Sequence, residues 1–252
     1  MKITILGSGT STGIPMIGCH CEVCSSSNPK NKRLRTSAFL ESGDARILID
    51  CSTDLRQQAL AYHIERIDAV FLTHSHADHV AGIDDLRIYN FRQGGKIKFF
   101  GAPDILNDVR RRFDYCFDPP QTGGGVPQLE LIPVQNSFEF MGISVTPLPV
   151  LHGTLPILGY RFNDFSYITD ASKIPEETME KLRGARVLIL NALRKKPHST
   201  HFSIDEAVEA ARRIQPEQTY LVHMAHQVEH EATNRALPPE IQLAYDGQVI
   251  NL

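Results

Sequence analysis

Thr73-His74-Ser75-His76-Ala77-Asp78-His79 packs three imidazoles and a carboxylate into six positions, and imidazole with carboxylate is the ligand mix for zinc, iron or manganese. A spacing of i, i+2, i+4, i+5 cannot place all four on one side of a helix or a strand. It calls for a loop, and a loop can divide its ligands between two ions. The plain alternative is a surface loop that happens to be rich in histidine. Against it, an apolar strand-like run at 69–72 leads into the motif, and single residues of the same chemistry recur at His152, Asp170 and His223.

Outward from the motif, strand and helix patterns alternate. Strands are expected at 2–6, 36–41 and 45–49, the last ending at Asp50, followed by a helix with Thr53 as N-cap and Leu55, Ala59 and Leu60 on its apolar side. Beyond the motif, a helix carries Ile83, Leu86 and Ile88. A strand at 98–100, a helix at 103–116, a hairpin-like group over 129–148, and strands at 158–162 and 165–169 follow. The last third places helices near 175–182, 203–214 and 228–236 between strands at Val187, Thr219 and Ile241. No repeat or linker interrupts the chain, so residues 1–252 are expected to form one domain. His152 follows a strand at 145–151, Asp170 closes the strand at 165–169 and His223 closes one at 219–222. Strand ends are where an α/β sheet collects functional residues, so one rim would gather them. Each has a plainer alternative: His152 as an ordinary core or surface histidine, Asp170 as a turn or cap, and His226 as a rival to His223.

Composition narrows the partners. Of the 252 residues, 42% are hydrophobic, enough for a sizeable core, and 26 Lys and Arg against 29 Asp and Glu leave a formal charge of −3. No general field draws such a protein to nucleic acid, which is an unlikely partner on this reading. The apolar run after Met1 and Lys2 is too short for a signal peptide, and no later segment suits a bilayer, so a cytoplasmic protein without a membrane partner is expected. Three of the five cysteines, Cys19, Cys21 and Cys24, form a C-x-C-x-x-C cluster that suits structural zinc better than a disulfide framework. Three reduced, buried cysteines are the alternative. Cys51 and Cys116 read as packing residues.

The motif at 73–79 resembles that of the metallo-β-lactamase superfamily. The resemblance implies an α/β fold arranged as a four-layer αββα sandwich. It also implies two divalent catalytic metals, zinc or manganese, with His74, His76 and His152 on the first, Asp78, His79 and His223 on the second, and Asp170 bridging. A bridging hydroxide would be the nucleophile, because metal binding lowers the pKa of water from about 15.7 to near 7. Asp50 reads as the residue that orients a ligand histidine. The cysteine loop narrows the resemblance to the PhnP-type phosphodiesterases, which implies a structural zinc on Cys19, Cys21, Cys24 and His226, with residues 17–28 as the inserted zinc loop. Gly7-Ser8-Gly9-Thr10, Leu158-Gly159-Tyr160, Ile174-Pro175-Glu176 and Asp246-Gly247 extend the likeness along the chain. One departure is Asn191, where an acidic residue is expected.

That resemblance implies hydrolysis of a small or cyclic phosphodiester such as phosphoribosyl 1,2-cyclic phosphate. Asp78 and His201 would be the catalytic residues, His201 as general acid, with His198 its competitor and a helix cap the alternative for both. It further suggests a homodimer. A transfer-RNA 3′-end endonuclease, or a thioesterase on the same fold, is the alternative. The former normally carries a basic Gly/Pro-rich arm, and beyond the short loop around Gly123 this chain shows none. That loop, from Pro119 to Gly125, reads as a surface segment or a lid. Gly7 to Thr10 lacks the Gly-Lys-Ser/Thr of a nucleotide-binding loop and reads as a tight turn at the site rim. Arg110-Arg111-Arg112 reads as a solvated helix face, and Lys195-Lys196 as a phosphate-steering pair.

Overall fold

A computed structural model describes residues 1–118 and 125–252. The Gly123 loop therefore lies outside the described residues, apart from its flanks. Chain order begins with β1 (Lys2–Gly7), α1 (Glu22–Ser25), β2 (Ser37–Ser42), β3 (Ala45–Ile49), α2 (Leu55–Ala61), β4 (Ala69–Phe71), α3 (Ala77–Val80), α4 (Arg87–Gln93), β5 (Ile97–Gly101), α5 (Pro103–Arg112) and β6 (Leu129–Pro133). It continues with β7 (Phe138–Phe140), β8 (Ile143–His152), β9 (Leu155–Phe162), β10 (Phe165–Ile168), α6 (Glu176–Leu182), β11 (Val187–Asn191), α7 (Ile204–Ile214), β12 (Gln218–Val222), α8 (His230–Ala236), β13 (Ile241–Leu243) and β14 (Val249–Asn251).

The strands form two seven-stranded sheets, ordered β14-β1-β2-β3-β4-β5-β6 and β13-β12-β11-β10-β9-β8-β7. Side-chain alternation along each strand explains why the sheets stack in the middle and helices cover both outer faces. In β11, Val187 and Ile189 join Ile3, Ile47, Phe71, Tyr160 and Phe162 between the sheets. Leu188 and Leu190, on the other face, pack with Leu182 of α6 and Ile204, Ala207 and Ile214 of α7. On the first sheet, Leu6, Leu48 and Val70 face outward onto Leu55, Val80, Leu86, Ile105 and Val109 from the opposite helical layer. Three apolar layers separated by two sheets define an αββα sandwich, as expected. Both faces of each sheet are buried, which is why the strands read as nearly continuous apolar runs.

Several expectations change in detail. The group at 129–148 is not one hairpin: β6 ends the first sheet, and the chain crosses to β7, which pairs with β8 at the edge of the second. The helix expected at 103–116 stops at Arg112 and ends in a short 3₁₀ turn. Residues 83–86 are likewise 3₁₀ before α4, and Ile88 and Leu60 point outward, 52% and 61% exposed, where an apolar stripe was expected. Asp54, not Thr53, precedes α2, and its side chain makes no cap hydrogen bond. Strand β14 was missed; its three residues pair with β1, and a solitary three-residue pattern carries little signal. No described helix is long and apolar enough to cross a membrane.

Candidate metal centre

The expected ligands gather at one rim because the strands that carry them end there. Three of the central residues occupy left-handed backbone conformations: Asp50 (φ 58°), Asp170 (φ 59°) and His223 (φ 59°). Such angles are uncommon for residues other than glycine and cluster at functional sites, where surrounding structure holds them. Each follows the end of its strand; Asp170 and His223 turn into the same cleft, and Asp50 turns onto Thr73 and His79 behind it. The motif is only partly the loop that its spacing demanded: His74 to His76 have no regular structure, and one helical turn, α3, carries Asp78 and His79 with His76 at its N-cap. Tyr160 braces the entry, its hydroxyl donating to the Leu72 carbonyl at 2.7 Å, while the Leu158 amide donates to Thr73 O at 2.9 Å.

Asp170 lies at the centre, 2% exposed. Its Oδ1 is 3.1 Å from His223 Nδ1 and 3.6 Å from His79 Nε2, whereas its Oδ2 is 3.2 Å from His201 Nε2 and 3.8 Å from His74 Nε2. One carboxylate thus faces two groups of donors with different oxygens. Asp78 Oδ2 is 3.2 Å from His79 Nε2, and Asp78, His79, Asp170 and His223 can bring one ligand atom each within 4.8 Å of all the others. His74 Nε2 and His76 Nδ1 stand 3.1 Å apart. The first expected set is less uniform. His152 makes a mutual group with Asp170 and His201 and not with His74 and His76, whose rings nonetheless stand beside its own. Ring centroids of His76 and His152 are 5.2 Å apart.

Hydrogen bonds at the far nitrogens decide which atoms face the cleft. His79 Nδ1 pairs with Asp50 Oδ2 at 2.7 Å and His152 Nδ1 with the Thr200 carbonyl at 2.8 Å, which leaves both Nε2 atoms turned inward. His223 is held at Nε2 by Thr10 Oγ1 at 3.1 Å. Its Nδ1 and the Nε2 of His79 are buried without a hydrogen-bond partner, and orphaned buried donors or acceptors are costly unless something ligates them. The donor set and its orphaned atoms fit divalent metal. Electrostatics agree: burial works to lower the His79 imidazole, but the charges of Asp170 and Asp50 outweigh it and push it well above its ordinary value. Burial likewise works to raise Asp170, and the charges of His223 and His79 overcome it and hold the carboxyl well below the carboxylate range. The two carboxylates thus favour a positive charge at His79. His223, by contrast, is lowered by burial to about 4, so it stays neutral, as a ligand must.

The cysteine loop reaches a second cluster. Sulfurs of Cys19, Cys21 and Cys24 lie 3.3, 3.4 and 3.8 Å from His226 Nδ1. A tetrahedron with Zn–S of about 2.3 Å and Zn–N of about 2.1 Å has an S···N edge of about 3.6 Å, so these distances fit a closed zinc site. A backbone hydrogen bond from Cys24 lowers the Cys21 thiol to about 6, which favours the thiolate that metal binding requires. The rivalry between the two histidines resolves by position: His223 faces Asp170, and His226 faces the sulfurs.

Some sequence readings shift. His201 touches Asp170, while His198 Nδ1 meets the Thr200 amide and hydroxyl instead. Gly7 and Gly9 do not make a simple rim turn. A Cβ on Gly7 would sit 2.0 Å from the Arg35 carbonyl, and one on Gly9 2.8 Å from the Arg33 Cβ, so glycine is needed for close backbone approach. The parts that Thr10 and Thr200 play in holding His223 and His152 had no signal in the sequence, because a threonine's partner is not marked by spacing. Arg112 is exposed, as a solvated helix face implies, and its guanidinium also donates to the Ser75 carbonyl inside the motif at 2.5 Å. Asn191 is fully buried, accepts from the Ala171 amide at 2.7 Å and donates to the Ala171 carbonyl at 2.9 Å, fixing the peptide that follows Asp170.

The chain belongs to the metallo-β-lactamase superfamily of hydrolases: the beta-lactamase superfamily domain matches residues 45–224. Within that class it is similar to a crystal structure described as a new diphosphatase from the PhnP family, at 41% identity and a TM-score of 0.93, covering 100% of this chain and 97% of that one. A zinc-bound PqqB from Methylobacterium extorquens shares the fold, with a TM-score of 0.80 at 22% identity over 100% of both chains. An octanoyltransferase of Porphyromonas gingivalis is 40% identical over 98% of this chain but only 51% of its own length. The chain spans about half the length of the curated relatives it matches first.

Proposed function

We propose that the protein is a metal-dependent phosphodiesterase for a small or cyclic phosphodiester, of which phosphoribosyl 1,2-cyclic phosphate is an example. The observation that carries this reading is Asp170 presenting one oxygen to each of two donor groups, with His201 Nε2 3.2 Å from it. Two adjacent metals, held by His74, His76 and His152 and by Asp78, His79 and His223 with Asp170 between them, would activate water and stabilise the charge on both the attacking and the leaving oxygen. His201 supplies the proton that the leaving alkoxide requires. Its Nδ1 is anchored by the Thr200 hydroxyl at 2.9 Å, which leaves Nε2 to carry and deliver the proton at the cleft. Ser203 and Glu206 form a capping box that fixes the start of α7 immediately after this segment. His76 is exposed, so the cleft is open to a phosphate ester at that side.

A diphosphate substrate is the second reading, favoured by the description of the 41%-identical neighbour as a diphosphatase. The octanoyltransferase name belongs to a protein about twice as long, and no acyl-transfer chemistry follows from it here. The test is hydrolysis of bis(p-nitrophenyl) phosphate, a cyclic ribose phosphate, a diphosphate diester, a precursor transfer RNA and a thioester, with metal content per chain. Three metals and diesterase activity are expected. His201→Ala should lose turnover roughly 10²-fold or more with metal content unchanged. Thioester cleavage alone would overturn the assignment, and unchanged turnover would remove His201 from it.

A further inference from the structure

Ser75 stands between two of the proposed ligands, His74 and His76, yet its own side chain points away from them. Its hydroxyl donates to Asp108 Oδ2 on α5 at 2.7 Å, and its carbonyl accepts from Arg112 Nη1 at 2.5 Å. Arg112 Nη2 closes the circuit onto Asp108 at 3.3 Å, and Arg111 adds a contact to the other carboxylate oxygen at 2.5 Å. The hydrogen bond from Ser75, with the two guanidiniums, holds the Asp108 carboxyl below its usual range. Residues 108 and 112, one helical turn apart, therefore grip the hydroxyl and the carbonyl of a single residue in the motif. His74 and His76 come within 3.1 Å through their ring nitrogens, and the clamp on the residue between them fixes the short segment that carries both rings.

We propose that Asp108 and Arg112, acting through Ser75, are positioning residues for the imidazoles of His74 and His76, and so set the metal affinity of that half of the centre. The proposal rests on the reading of those histidines as ligands. Groups hydrogen-bonded directly to a ligand are typically worth about 10- to 100-fold in metal affinity, and a clamp acting through the residue between two ligands is expected at the lower end of that range.

The test is titration of the metal-free full chain with Co²⁺, whose thiolate charge-transfer band reports the cysteine cluster and whose ligand-field bands report the imidazole–carboxylate site. Ser75→Ala and Asp108→Ala are expected to weaken the imidazole–carboxylate site about 10-fold or more and leave the thiolate site unchanged. Asp108→Asn should recover part of the loss by accepting from Ser75, and Arg110→Ala, on the same helix but paired with Asp118 instead, should bind as wild type. Ser75→Ala removes one hydroxyl and keeps the test decisive if Asp108→Ala does not fold. Wild-type affinity in a folded Ser75→Ala protein overturns the proposal. Wild-type protein that binds cobalt only through thiolates overturns the ligand reading itself.

Discussion

Asp50 offers the sharpest perturbation of the candidate centre. Its carboxylate is fully buried and accepts from the Thr73 amide and hydroxyl, each at 2.8 Å, and from His79 Nδ1 at 2.7 Å. Alanine would leave three buried donors unsatisfied at about 1–3 kcal/mol each. Their sum, about 3–9 kcal/mol, is comparable to the whole stability of an ordinary domain, about 5–15 kcal/mol, so Asp50→Ala is expected to fold poorly. Asp50→Asn is the informative change. Its oxygen can still accept from Thr73, but its amide then meets His79 Nδ1–H donor to donor. The imidazole relieves this by moving its proton to Nε2, the atom that faces Asp78 and Asp170 and is proposed to hold metal. A 10- to 100-fold loss of metal affinity is expected, or about 1.4–2.7 kcal/mol. The assay is chelator-competition titration of wild type and Asp50→Asn, with thermal unfolding of the metal-free proteins as the control for fold. A folded Asp50→Asn protein with affinity within twofold of wild type would refute the tautomer argument.

Other consequences follow from single contacts. Cys24→Ser should remove one metal equivalent and lower the melting temperature while diesterase turnover per folded molecule persists; loss of all metals together would show that the two clusters are not independent. Asn191→Asp places a carboxylate against the Ala171 carbonyl in a fully buried site and is expected to cost about 1–3 kcal/mol in denaturant unfolding; an unchanged midpoint would contradict it. His230, buried and lowered by desolvation from 6.5 to about 4, stays neutral in the folded state while the unfolded chain takes up a proton. Stability should therefore fall as pH drops through 6.5 and continue falling to about 4, with a limiting slope of about 1.4 kcal/mol per pH unit for one proton. His223 adds a second proton of the same sign in metal-free protein. His230→Gln should remove one proton from that slope, measured as unfolding free energy between pH 4 and 7; an unchanged slope would assign the linkage elsewhere.

Much of the centre was legible from the chain because its chemistry is local: three histidines and an aspartate in six positions, and three cysteines in six, are improbable without a metal to satisfy. The fold was legible for a related reason. Buried strands such as β11 need apolar side chains on both faces, so the αββα layering leaves continuous runs in the sequence. Strand-end positions for His152, Asp170 and His223 could also be read, since a strand pattern stops visibly where its last apolar residue gives way. Tertiary structure alone decided the rest. Which oxygen of Asp170 faces which histidine, and which nitrogen of His79, His152 and His223 is left free, depends on Asp50, Thr200 and Thr10, each supplied by a distant segment. The crossing between β6 and β7, and the grip of α5 on Ser75, are likewise long-range. Composition and spacing specify which groups must escape water or find a ligand; the direction in which each group points is set by backbone angles and contacts that only the assembled sheets impose.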